Sequence, residues 1–158
     1  MADTGIHQLL DPRAVRLTAT APGRDDAIRI CGEALVATGA VDPAYVETML
    51  EREQSVSTYV GEGVAIPHGT LEGKDHVHRD ALSFVRFPRG VDWGGQPVTV
   101  AIGIAARDGG HVAILAELAS ILLDPARAAA LRAATDPDEV LLLLTPAPDP
   151  DQHEDSPA

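Results

Sequence analysis

Val98-Thr99-Val100-Ala101-Ile102-Gly103-Ile104-Ala105 is apolar almost without interruption. A strand with one wet face alternates apolar and polar residues, so this stretch reads as a central strand covered on both sides. The cover is found in the flanking sequence. Residues 110–123 carry Ile114, Leu118, Ile121 and Leu122 along one face of a helix. Residues 24–38 do the same with Ala27, Cys31, Ala34 and Leu35. Asp25 and Asp26 suit the positive start of that helix, and Gly39 suits its stop. Shorter strands are expected at 15–17, 58–60, 64–66 and 81–86. Strands and helices alternate irregularly. This predicts an α/β (α+β-like) single domain, a mixed parallel/antiparallel β-sheet flanked by helices on both faces.

Asp-Pro pairs punctuate the chain at 11–12, 42–43, 124–125, 136–137 and 149–150. Asp accepts from open helix amides and Pro fits the first helical position. Asp42-Pro43 is therefore expected to open a helix running to about Glu53, with Val41 and Val46 as a hydrophobic staple. Asp136 with Glu139 reads as a capping box, and Asp124-Pro125 separates two helices.

The chain has 158 residues, 12 Lys and Arg against 24 Asp and Glu, and a formal charge of −12. So acidic a chain lacks the basic clusters that phosphate neutralisation in a nucleic acid requires. No apolar run approaches a membrane span, and Met1-Ala2-Asp3-Thr4 lacks a basic region followed by an apolar core, so no secretory signal is expected. The single cysteine, Cys31, excludes an internal disulfide and lies on an apolar helix face, so it is read as core. A cytoplasmic location is expected. Residues 145–158 hold four acids, four prolines and no basic residue, which predicts a disordered tail behind a domain at 1–144.

Six histidines offer chemistry: His7, His68, His76, His78, His111 and His153. His7 and His153 lie near the ends and are expected in solvent. His76 and His78 alternate along the chain, so they form either a polar surface stretch or two of the ligands a metal would need. His68 comes after the short apolar run Val64-Ala65-Ile66 and rigid Pro67, and precedes Gly69, which leaves its backbone open to close approach. It is either an ordinary loop histidine or a nucleophile presented at a strand end. His111 stands in the first turn of the helix after Gly109-Gly110, where it is a surface residue or a neutral donor to an anion. Arg52 falls in the last turn of its helix, as a dipole partner or as a fork for a phosphoryl group.

Met49-Leu50-Glu51-Arg52-Glu53 and Ser57-Thr58-Tyr59-Val60-Gly61-Glu62-Gly63-Val64-Ala65-Ile66-Pro67-His68-Gly69-Thr70 together resemble the IIA domain of the mannitol/fructose class of the bacterial sugar phosphotransferase system. Gly73-Lys74-Asp75-His76-Val77 and Ile102-Gly103-Ile104-Ala105-Ala106-Arg107 are similar to its mannitol branch, and the resemblance spans about 24–144. It implies that His68 is the phosphorylated histidine, that His111 contacts the phosphoryl group and that Arg52 balances its charge. Gly110 departs from the acidic residue that relatives often place before the second histidine. The implied partners are the phosphocarrier HPr as donor and a cysteine of a mannitol-type IIB domain as acceptor. The membrane is met only through a IIC component, with IIB and IIC expected on chains other than this one. No metal or nucleotide cofactor is implied, because donor and acceptor are both side chains. Fructose-type and nitrogen-regulatory IIA proteins are the alternatives. The acidic charge further implies docking through an apolar patch around His68 with charges at its rim.

Overall fold

A computed structural model describes residues 6–107 and 110–145, the side chains of residues 71, 110 and 111 apart. After a short 3-10 turn (Ile6–Leu9) come β1 (Leu10–Arg16), α1 (Arg24–Ala37), α2 (Ala44–Ser55), β2 (Tyr59–Gly61) and β3 (Val64–Ala65). A second 3-10 segment (Leu71–His76) leads to β4 (Ala81–Trp93) and β5 (Gln96–Ala105). The chain closes with α3 (Gly110–Leu122), α4 (Pro125–Arg132) and α5 (Pro137–Leu144). The sheet order is β1-β4-β5-β3-β2. β1 runs parallel to β4 and β3 parallel to β5, while β4 with β5 and β2 with β3 are antiparallel.

The apolar stretch at 98–105 is central, as expected. Val100, Ile102 and Ile104 face a core shared with Leu118, Leu131 and Val140 from α3, α4 and α5. Val98, Ala101 and Ala105 face the opposite core, with Ile28 and Leu35 from α1 and Met49 from α2. The register between β4 and β5 shifts between Arg86 and Val91, where Pro88 cannot donate to the ladder and Gly90 adopts φ 76°. That irregularity separates Val98 and Val100 onto different faces. Cys31 is fully buried and its thiol is pushed up to about 12 by burial.

Several boundaries differ from the expected ones. β4 continues past residue 86 to Trp93, because the bulge lets a strand pass Pro88-Arg89-Gly90. Asp11-Pro12 opens no helix. It lies in edge strand β1, where a missing donor is tolerated, and Asp11 pairs with Arg13 at 2.7 Å. Asp42 does not cap α2, whose N-cap is Pro43 without a side-chain bond. Its carboxylate lies 2.7 Å from His78 Nε2 and 3.7 Å from His76 Nδ1 instead. Asp124 and Asp136 do cap α4 and α5, accepting from Ala126 N at 3.0 Å and Asp138 N at 2.8 Å. Glu139 reaches the amide of Thr135, one residue earlier than a capping box requires.

Candidate functional site

Parallel strands deliver their outgoing loops to a common end of the sheet, and ligands of open α/β sheets sit beyond those carboxyl ends. β3 and β5 are such a pair. β3 runs out into Ile66-Pro67-His68, and His68 forms a parallel bridge with Ile104 near the end of β5. Ile104 N donates to Pro67 O at 2.9 Å, which fixes the backbone just before the histidine. The His68 ring is half-buried, and its Nδ1 lies 2.9 Å from Ile66 O. A carbonyl only accepts, so Nδ1 carries a ring proton, and in the neutral imidazole the lone pair is then on Nε2. The sequence therefore builds a half-buried histidine whose Nδ1 is engaged by its own backbone.

The close approach expected at Gly69 is made by the protein's own α2. A Cβ at Gly69 would stand 2.5 Å from Tyr45 Cε1 and 2.5 Å from Thr48 Oγ1. Gly69 N donates to the Tyr45 hydroxyl at 2.9 Å, and that hydroxyl donates to Ile104 O at 2.8 Å. Burial pushes the Tyr45 phenol up to about 12.

Arg52 lies in the last turn of α2, as expected, and its guanidinium donates to Val56 O at 2.7 Å. Beside it, Glu53 is buried, at 3% exposure. Its carboxylate accepts from Thr58 N at 3.0 Å, from Thr58 Oγ1 at 2.5 Å and from Trp93 Nε1 at 2.9 Å. Thr58 O in turn accepts from Ile66 N at 3.0 Å. The turn between Arg52 and the His68 segment is thus anchored from within. The β2–β3 turn is held by Arg132, whose Nη1 donates to Glu62 O at 2.6 Å, and Gly61, Glu62 and Gly63 all have positive φ.

The His111 side chain lies outside the described residues, and the backbone places His111 in the first turn of α3. β5 ends at Ala105, one residue past the bridge to His68, and α3 begins at Gly110. His76 and His78 converge on Asp42, whose carboxyl is lowered chiefly by the bond to His78. Among the described residues no group of three or more His, Cys, Asp and Glu could hold a metal ion. His7 is half-buried rather than solvated, with its Nδ1 enclosed, and His153 lies outside the described residues. An apolar groove of about 220 Å³ runs from Ile66 and Val60 to Leu115, Leu118, Leu122 and Leu123 of the α3 end. Val60 and Leu123 at its rim are exposed.

Residues 8–146 match the family described as phosphoenolpyruvate-dependent sugar phosphotransferase system, EIIA 2. The chain belongs to this family. As an EIIA 2 member it is a phosphotransferase component of a sugar phosphotransferase system. It is 42% identical over 114 residues to the mannitol-specific phosphotransferase enzyme IIA component of Staphylococcus aureus, covering 72% of this chain and 79% of that one. It is 41% identical over 135 residues to a multiphosphoryl transfer protein of Xanthomonas campestris, covering 85% of this chain but 16% of that protein. The EIIA 2 chain also superposes on the crystal structure of IIA mannitol from Escherichia coli with a TM-score of 0.80 at 39% identity, covering 85% and 98% of the two chains. A complex of that enzyme with phosphorylated IIB mannitol matches with a TM-score of 0.80 at 38% identity, covering 86% and 98%. Among the described residues, no helix of this EIIA 2 chain is long and apolar enough to cross a membrane.

Sequence reasoning misses Tyr45, Glu53 and Trp93 as site-building residues. A signal exists for two of them. Trp93 is the only tryptophan, and a buried indole N–H requires an acceptor. Tyr45 is one of two tyrosines in a chain with few aromatics.

Proposed function

We propose that this chain is a mannitol-type IIA component that accepts a phosphoryl group on His68 from phospho-HPr and passes it to a cysteine of a IIB component. The observation that carries this reading is the place of His68 at the carboxyl end of β3, with Nδ1 2.9 Å from Ile66 O, an arrangement that in the neutral ring makes Nε2 the nucleophile. In the first step the Nε2–P bond forms as the donor's phosphohistidine N–P bond breaks, and the donor ring leaves with the electron pair. In the second, the IIB thiolate forms the S–P bond and the pair returns to Nε2. Both steps are in-line transfers whose demands are position and charge stabilisation. Arg52, His111 and the N-terminal end of α3 supply that stabilisation. The chemistry needs no cofactor beyond these side chains.

Mannitol is favoured as the sugar by the IIA relatives at about 40% identity, whose names specify it. IIB is favoured as the acceptor by the solved complex of the similar Escherichia coli enzyme. The groove beside Ile66 supports docking by both partners, because its rim exposes Val60 and Leu123. The protein acts in the cytoplasm and meets the membrane only through the IIC component, with residues 1–144 as the working domain and 145–158 as an acidic tail.

Incubation with radiolabelled phospho-HPr tests the reading. One phosphoryl group per wild-type chain and none on His68→Ala are expected. Equal labelling of His68→Ala overturns the assignment. His111→Ala is expected to accept phosphate yet pass it slowly to IIB; unchanged rates in both steps remove His111 from the mechanism.

A further inference from the structure

We propose that Tyr45 is a positioning residue for His68, its buried hydroxyl locking the backbone on the far side of the histidine to the same residue of β5 that locks the near side. The inference rests on the reading of His68 as phosphoacceptor and adds a residue to it.

Ile104 is the common anchor. Its N–H holds Pro67 O at 2.9 Å, directly before His68. Its carbonyl accepts from the Tyr45 hydroxyl at 2.8 Å, and that hydroxyl accepts from Gly69 N, directly after His68, at 2.9 Å. The histidine is therefore clamped fore and aft by one residue, and Tyr45 is the half of the clamp that the sheet cannot supply. The packing is built for it. Tyr45 is 3% exposed, and Gly69 lies so close that a Cβ there would meet the ring at 2.5 Å. Gly73 does the same against Thr48, with a Cβ 2.5 Å from Oγ1. Thr48 Oγ1 is itself bonded to Tyr45 O at 2.7 Å. One turn of α2 thus receives the whole segment after His68.

The hydroxyl has to donate and accept at once. Only a neutral phenol can do both; tyrosine is neutral at neutral pH, and burial extends that range upward. Phenylalanine would fill the same space and leave Gly69 N–H and Ile104 C=O without this partner. In-line transfer is sensitive to the placement of Nε2, and a misplacement of about 1 Å can cost about a hundredfold in rate.

The test compares Tyr45→Phe with Ser83→Ala, which removes a different buried hydroxyl bond, to Cys31 O at 2.9 Å. Each full chain is phosphorylated by phospho-HPr and, separately, by phosphoramidate, a small donor that needs no docking. The His68 ring nitrogens are tracked by nitrogen NMR. Tyr45→Phe is expected to slow phosphorylation by both donors roughly ten- to a hundredfold, and to shift or broaden the His68 Nδ1–H signal. Ser83→Ala is expected to keep the wild-type rate and signal. Wild-type rates and an unmoved His68 signal in Tyr45→Phe overturn the proposal. Gly69→Ala provides a second route, because it keeps the hydroxyl while wedging the segment off it; the same slowing is expected, and wild-type rates in a folded Gly69→Ala chain also overturn the proposal. Labelling of His68→Ala would bring down the underlying assignment, whereas label confined to His68 with an unaffected Tyr45→Phe brings down the Tyr45 role alone.

Discussion

Trp93 and Glu53 stand 40 residues apart in the chain, yet the indole Nε1 donates to the Glu53 carboxylate at 2.9 Å. That bond ties the tip of the β4–β5 hairpin to the end of α2. The same carboxylate takes both donors of Thr58, and Thr58 O takes Ile66 N, two residues before His68. Glu53→Ala strips the acceptor from three buried donors, and each unmet donor costs about 1–3 kcal/mol. A loss of at least about 3 kcal/mol in urea denaturation is expected. Glu53→Gln should lose less, because its carbonyl oxygen can replace Oε2 and the Thr58 hydroxyl can turn to accept. Trp93→Phe loses that bond to a charged acceptor and leaves a small cavity, and should cost about 2–3 kcal/mol.

Arg52 donates to a backbone carbonyl in an exposed turn, Val56 O at 2.7 Å. Such a bond contributes little to stability, so a role in charge balance separates cleanly from a structural one. Arg52→Gln is expected to slow phosphoryl transfer at least about tenfold, with the melting temperature unchanged. A destabilised chain with normal transfer would identify a structural arginine.

The groove beside Ile66 gives a way to separate docking from chemistry. Leu123 at its rim is 81% exposed, so a charge there leaves the fold intact. Leu123→Glu is expected to weaken transfer from phospho-HPr and to IIB, since burying a carboxylate in an apolar interface is costly. Its phosphorylation by phosphoramidate should match wild type. Loss with the small donor as well would place the defect in the site itself.

Tyr45 also sets an alkaline limit on stability. Its phenol titrates near 10.0 when unfolded and about 12 when folded, because burial penalises the phenolate. Stability is therefore full below about 10 and falls as pH rises towards about 12, where the unfolded chain alone can ionise, by on the order of 2–3 kcal/mol. Absorbance of tyrosinate at rising pH should contain a late component coincident with unfolding, and Tyr45→Phe should lack it. A Tyr45 that ionises in the folded chain at its ordinary value would contradict the observed enclosure.

The central strand, the helices at 24–38 and 110–123, and the His68 loop are all legible in the sequence, because their periodicity and turn residues act locally. The place of Arg52 in its helix is legible for the same reason. The features that escape are set by contacts between distant segments. Asp42 has the signature of a cap, but His78, 36 residues on, takes its carboxylate. Gly69 looks open to a visitor, yet Tyr45, 24 residues earlier, already occupies that side. Pro88 argues for the end of a strand, and only the bulge against β5 carries β4 past it. Glu53 reads as one more acid on a helix, since nothing in its neighbourhood announces that Trp93 will fold onto it.

Tyr45 belongs to the core under α1 and α2, whereas Ile66 and the Ile104 side chain belong to the core under α3, α4 and α5. The imidazole is therefore held by two hydrophobic interiors that meet only through the sheet. Loosening either one releases one jaw of the grip before the rest of the molecule comes apart. Capacity to take phosphate then becomes a gauge of the integrity of both interiors: on heating, it should vanish with whichever melts first.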